Sequence, residues 1–526
     1  MSKESEKIFD GITRVGDDLV ESAQKPKKRK NPWRRWTAAA AAVALVILGA
    51  FALRRGGTPG KGPADAPEQP PAYGVAEEES PAMVRELSLV TFACAEAERP
   101  EMAQRPVETA FSDAKGKVDW DAYNGAWETW RESCLAQTEE MDVYRGKLDG
   151  FLDKSIPVLL DGEAGENRVC SPLNVYLALA MLAQTTDGNT RAQLLSLLGA
   201  SDTTELRERA RALWNANYLD DGVSESLLSS SLWMREDVPF VQRTLDVLAA
   251  DYHASSYRGK MGSSLLNAAM QKWLNENTGG LLEKQVAGVE TEENTLLTIL
   301  TAVYLNAPWT NAFPKFATAP DTFHAADGDR TCDFLHGSAE GMFYRGERFT
   351  ATEKKLNLGF HRGGMWFLLP DEGVSPEALL RDEDALRFLR TDKYAGADGQ
   401  LLTWNTAAAD VRLHVPKFDV DAQMDLIPGL QALGVTDVFR PGVADFSPMI
   451  ENAGLLQPCV SGAQHAARVK IDEEGVEAAA FTEFSVTESA AVERKEIDFT
   501  LDRPFLFAIT GADGLPLFVG IVNRPA

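Results

Sequence analysis

A catalytic or metal site in this chain would have to be assembled from six histidines, at 253, 324, 336, 361, 414 and 465, and five cysteines, at 94, 134, 170, 332 and 459. Two ligands on one helix need a spacing of three or four residues, and zinc sites use short Cys or His pairs. No two histidines and no two cysteines here have that spacing. There is also no G-x-S-x-G elbow to expose a serine nucleophile, no H-E-x-x-H and no glycine loop able to cradle phosphate; GGTPGKGP, from Gly56, has the wrong spacing. The residue types therefore point to no catalytic residue, no metal and no cofactor, and leave a hydrolase only as a minor alternative.

The stretch that does stand out is DEEGVEAAAFTEFSVTESAAVERKEIDF, Asp472 to Phe499. Its first half alternates in twos, with Val476, Ala478, Ala480 and Thr482 on one side and Glu477, Ala479, Phe481 and Glu483 on the other, which is the period of a strand. Alanine and glutamate are poor strand formers, and the apolar side is nearly all small. Ser485 to Glu496 offers no sustained core face in either period. This is a strand-like segment with no evident partner.

The elements around it come from a chain of 526 residues with 44% hydrophobic content, enough for a large core, and a net charge of −25 that argues against nucleic-acid binding. Residues 1–36 read as a cytoplasmic basic tail, with KPKKRKNPWRR at 25–35 directly before the uncharged run 37–53. As a helix those 17 residues reach about 26 Å, enough for a bilayer core. The positive side and Trp33 and Trp36 predict a signal-anchor with the N-terminus inside and the bulk exported. Ala50-Phe51-Ala52 offers the alternative of secretion after cleavage near Ala52.

Residues 54–80 form a Pro/Gly-rich linker, and 81–145 read as a helical extension. Its first helix starts at Ser80-Pro81 and carries Met83, Leu87, Val90 and Cys94. A second carries Trp120, Tyr123, Trp127, Trp130 and Cys134, and a third begins near Gln137. The aromatic stripe reads as core between packed helices, with a carbohydrate or partner surface as the alternative. Cys94 and Cys134 on the two apolar faces are compatible with a disulfide in an oxidising compartment. From residue 146 to 526 the pattern is mixed. Helical faces fall at 148–160, 172–184, 190–199, 204–216, 240–252 and 263–276. Strand runs fall at 298–305, 365–369, 410–414, 505–510 and 517–522, the last two flanking the hairpin signal Gly511-Ala512-Asp513-Gly514. This reads as one large α+β domain.

Several segments in fixed order resemble the serpin family. FTLDRPFLFAI, Phe499 to Ile509, matches its signature at every position, and NRVCSPLNVYLALAMLAQTTDGNTRAQLLSLLG, LTAVYLNAPWTNAF, LHVPKFDV and LGVTDVF are similar to other family segments, so that the likeness runs from Lys147 to Pro525. It implies the serpin fold: a large central β-sheet A, further sheets B and C, about nine helices and an exposed reactive-centre loop. In that family the loop is bait for a serine protease. After cleavage its first half inserts into sheet A, the protease remains covalently attached, and the native fold is metastable. Central insertion needs small side chains on the buried side, which Val476, Ala478, Ala480 and Thr482 supply, while the bulky Phe481 falls on the solvent side.

Carried across position by position, the resemblance implies a hinge of Glu473, Gly475, Val476, Glu477, Ala478, Ala479, Ala480 and Thr482, with Lys417 as partner of Glu473 and Gly475 supplying unusual backbone angles. It implies a sheet-opening region of Ser171, Asn174, Thr301, His465 and Trp309, where Asn174 replaces a usual serine and Thr301 a usual asparagine. The reactive bond falls at Ser489-Ala490, sixteen residues after Glu473, although counting back from Pro504 reaches Glu493. Small residues from Ser489 to Val492 suit an elastase- or subtilisin-like protease; Arg494 suits a trypsin-like one. The expected partners are a serine protease and, through 37–53, a membrane, with the chain monomeric. A non-inhibitory serpin acting as a surface binding protein is the alternative.

Overall fold

The structure, a computed structural model, describes residues 92–97, 99–358, 363–391, 393, 405–476 and 495–525. The basic tail, the span 37–53, the linker and the first predicted extension helix up to residue 91 lie outside the described residues, as do residues 477–494. All described residues belong to one compact unit. Among them no helix is long and apolar enough to cross a membrane.

The described residues start with a short strand β1 (Ala93–Ala95), a long helix α1 (Trp120–Asp142), α2 (Asp149–Leu159), β2 (Arg168–Cys170), α3 (Pro172–Thr185), α4 (Gly188–Leu198) and α5 (Thr203–Asn217). There follow β3 (Leu219–Asp220), β4 (Glu225–Arg235), α6 (Gln242–Asp251), β5 (Ala254–Gly259), α7 (Ser264–Asn277), α8 (Glu283–Val286) and β6 (Leu297–Pro308). The strands β7 (Ala319–Ala325), β8 (Gly328–Arg345), β9 (Phe349–Lys355) and β10 (Gly364–Pro370) precede α9 (Pro376–Leu379) and α10 (Glu383–Arg390). The last part holds β11 (Asn405–Pro416), β12 (Asp419–Asp425), α11 (Ile427–Ala432), α12 (Ala453–Leu456), β13 (Gln464–Lys470), β14 (Gly475–Val476), β15 (Lys495–Thr500), β16 (Phe505–Thr510) and β17 (Pro516–Val522).

Local chemistry sets these boundaries. Ser171 accepts the Asn174 N–H at the start of α3, with Pro172 in the first turn; Asp202 accepts two N–H groups at the start of α5; and Gly199, at φ 65°, closes α4 in the left-handed conformation. The turn Gly511–Gly514 joins β16 to β17 as an antiparallel hairpin, with the Gly511 N–H donating to the Leu515 carbonyl at 3.0 Å.

A six-stranded sheet runs β1-β5-β4-β6-β14, with β3 on β4; a nine-stranded one runs β15-β11-β8-β9-β10-β16-β17-β2, with β7 on β8; and β12 pairs with β13 alone. Helix α3 is buried along nearly its whole length in the main core. A second core cluster, built on Trp233, Tyr257, Leu266, Met270 and Trp273, lies where α7 packs on β4 and β6.

The extension departs from its sequence reading in four ways. Cys94 is in a strand, not a helix, because residues 93–95 find the open edge of β5 to pair with. No third helix begins at Gln137: α1 runs unbroken to Asp142, its Thr138 and Met141 buried against α5. The aromatic stripe is only half core, with Trp130 buried but Trp120 54% exposed. All five cysteines are free, Cys94 exposed and Cys134 buried, so the disulfide is not formed.

Candidate functional site

The last described residues before position 477 form a tight turn. Asp472 accepts the Glu474 and Gly475 N–H groups on its side chain, at 2.8 and 3.1 Å, and its own N–H donates to the Gly475 carbonyl at 3.0 Å. An aspartate closing such a turn on its own backbone needs no distant partner. The turn's three outward carbonyls do have distant donors. Trp309 Nε1 donates to Asp472 O at 2.9 Å, the Phe313 N–H to Glu473 O at 2.9 Å and the Trp309 N–H to Glu474 O at 2.9 Å. Trp309 itself is buried and edge-on to Phe313.

Beyond the turn, Gly475 and Val476 pair antiparallel with Pro308 and Ala307 at the end of β6. Gly475 is therefore held in an extended strand, and the expected use of glycine-only angles does not apply in this state. The other edge of β6 is paired with β4 from Leu297 to Asn306. Below Ala307, on the side that β14 occupies, no ladder joins β6 to β13 among the described residues.

Charge holds the turn from below. Lys417 Nζ lies 2.7 Å from Glu473 Oε1, and Thr318 Oγ1 donates to the same oxygen at 2.8 Å. Burial alone would raise the Glu473 carboxyl, but these bonds outweigh it and hold the group below the usual carboxylate range. Lys315 pairs with Glu474 at the surface.

Further along the gap, His465 on β13 accepts the Ser171 N–H on Nε2 at 3.0 Å, while Ser171 Oγ caps α3 through Asn174. All three residues are buried. Burial pushes the His465 imidazole down to about 4, so it is neutral and able to accept. Thr301 sits across on β6, half-buried and opposite Ser230, outside this hydrogen-bonded set. Trp309 belongs with the loop turn rather than with Ser171 and His465. Glu477, Ala478, Ala479, Ala480, Thr482, Ser489 and Ala490 lie outside the described residues.

Sequence reasoning missed Asp472, Thr318 and Lys315. The signal for Asp472 was present, an aspartate three residues before a glycine; the other two are tertiary neighbours with no local mark. It also missed that His336 and His414, on adjacent strands β8 and β11, bring their Nδ1 atoms to 2.5 Å. Among the described residues no group of three or more His, Cys, Asp or Glu side chains could hold a metal.

Comparison with known proteins gives one consistent result. The family model described as Serpin (serine protease inhibitor) matches residues 157–525. Serpin-Z2B of Oryza sativa subsp. japonica is 28% identical over 410 residues, covering 72% of this chain and 97% of the relative. The human leukocyte elastase inhibitor is 27% identical over 388 residues, covering 72% and 98%. Among solved structures the native state of Tengpin, a thermophilic serpin, superposes with a TM-score of 0.62 at 24% identity, covering 72% of this chain and 94% of that one. At that identity the likeness speaks for the fold.

Proposed function

The chain belongs to the serpin family, and from that premise we propose that it is a suicide-substrate inhibitor of serine proteases. The observation that carries this reading is the seating of Gly475 and Val476 on the end of β6, with the rest of that edge unladdered toward β13. A loop anchored there is already in register to continue downward as the next strand. The side chains it would bury, Ala478, Ala480 and Thr482, are small enough for a space that was closed before.

The chemistry belongs to the protease until insertion begins. Its serine hydroxyl oxygen bonds to the carbonyl carbon of Ser489, the bond to the Ala490 nitrogen breaks, and that nitrogen leaves as an amine carrying the serine's proton. The product is an ester joining the protease to Ser489. The fourteen residues from Val476 to Ser489 then insert at roughly 3.3 Å each, carrying the attached protease about 46 Å. Distortion of the protease before water can cleave the ester traps the complex. Small residues from Ser489 to Val492 favour an elastase- or subtilisin-like target. Residues 37–53 would hold the chain, as a monomer, at the outer face of a cell membrane, or be removed near Ala52.

Incubation with elastase-, subtilisin- and trypsin-like proteases, followed by denaturing electrophoresis, tests the reading. A covalent complex is expected with one of the first two, and mass spectrometry of the released C-terminal piece should begin at Ala490. Clean cleavage without complex in all three incubations would instead support a non-inhibitory surface protein.

A further inference from the structure

We propose that the extension is a latch on β6 that restrains loop insertion through Arg105 and Asn357; the proposal rests on the insertion reading above. The observation is a chain of contacts between parts of the molecule far apart in sequence. Asn357, buried just after β9, donates its N–H to Pro308 O at 2.9 Å, and Pro308 is the register partner of Gly475 where the loop enters. The Asn357 carbonyl accepts Ser224 Oγ at 2.5 Å, just ahead of β4, and its Oδ1 accepts Arg105 Nη2 at 3.4 Å. Arg105 is in turn positioned by the extension. Its guanidinium lies 5.2 Å from the ring centroids of both Trp127 and Trp130 on α1, and its N–H donates to Asp221 O at 2.8 Å.

The same segment ties the far edge of this sheet. Phe92 and Ala93 pack into the cluster beneath α7, and the Phe92 carbonyl accepts the Arg258 N–H at 2.7 Å. Arg99 Nη2 donates to Ser229 Oγ on β4 and to Asn277 Oδ1 at the end of α7, both at 2.7 Å. The extension therefore grips β5, β4 and α7 on one side and Asn357 on the other.

Admitting a strand beside β6 requires room for one more strand, spaced about 4.8 Å from its neighbour, between β6, with β4 and β5 paired to it, and the β12–β13 pair. Asn357 follows β9 of the nine-stranded sheet, whose strand β2 packs on β12 and β13, whereas Asp221, Ser229 and Pro308 go with the six-stranded one. Arg105 spans the two. A charge held over two indole rings and hydrogen-bonded across that boundary favours the unexpanded arrangement, and its loss favours insertion.

The test uses the full chain, with Arg105→Ala and, should that variant fold poorly, Trp127→Ala, a residue only partly buried. A synthetic peptide copying Val476 to Ser489 is added, and its uptake is followed on native gels. Uptake should be about tenfold faster in Arg105→Ala, a ratio equivalent to about 1.4 kcal/mol, and faster than wild type in Trp127→Ala. The urea midpoint should fall for the intact variants and stay at the wild-type value for the loop-clipped ones, where the latch is already released. Folded variants that take up peptide at or below the wild-type rate would overturn the latch alone. A wild-type chain that takes up no peptide and gains no stability on clipping would overturn both the latch and the inhibitory reading.

Discussion

Lys417 Nζ lies 2.7 Å from Glu473 Oε1, joining the residue that follows β11 to the turn that precedes residue 477. The pair is partly screened by water, so its worth lies more in position than in energy. Replacing Lys417 with Ala should cost about 1 kcal/mol at neutral pH. Because the folded Glu473 carboxyl is held below its unfolded value of about 4.3, its contribution is complete above that pH and disappears as pH falls through the folded value. Urea midpoints of Lys417→Ala and wild type should therefore differ at pH 7 and converge as pH falls below the folded value. A gap that stays constant down through the acid range would show that the charge is not what matters.

If the chain inhibits as proposed, Ala480→Arg should turn it into a substrate. An arginine on the side of the loop that must enter the sheet would place an unpaired charge in the core. The expected result on a denaturing gel is loss of the covalent band with cleavage retained, and an undiminished band would refute insertion of this face.

His465 links stability to pH. Its folded value of about 4 against an unfolded value of about 6.5 means that the unfolded chain binds the proton first. Its contribution is complete above about pH 6.5 and is lost as pH falls toward 4, amounting to about 3 kcal/mol across the window. His465→Gln should flatten the curve of unfolding free energy between pH 4 and 6.5, and a slope as steep as wild type would place the titration elsewhere.

Clipping the loop should raise the melting temperature. About ten new ladder bonds, each contributing about 1 kcal/mol, shift the midpoint of a domain this size by about 10 °C. Scanning calorimetry of intact and clipped chain measures this directly, and equal midpoints would remove the metastable state from the mechanism.

Periodicity and local chemistry made much of the fold legible in the sequence. Helices α2 to α7 and strands β6, β10, β16 and β17 stand where apolar spacing put them, and the 511–514 turn closes the hairpin its residues announced. The small-sided alternation from Val476 to Thr482 is likewise a local property, readable without coordinates. Tertiary structure alone decided the partners. That residues 93–95 are a strand follows from a free edge on β5 more than 150 positions later, and that Arg105 meets Asn357 follows from folding together segments 252 positions apart. A side-chain period reports which face of an element is apolar, but it carries no information about which distant backbone will offer the matching donors. The extension, where such contacts outweigh local preference, is for that reason where sequence and structure diverge most.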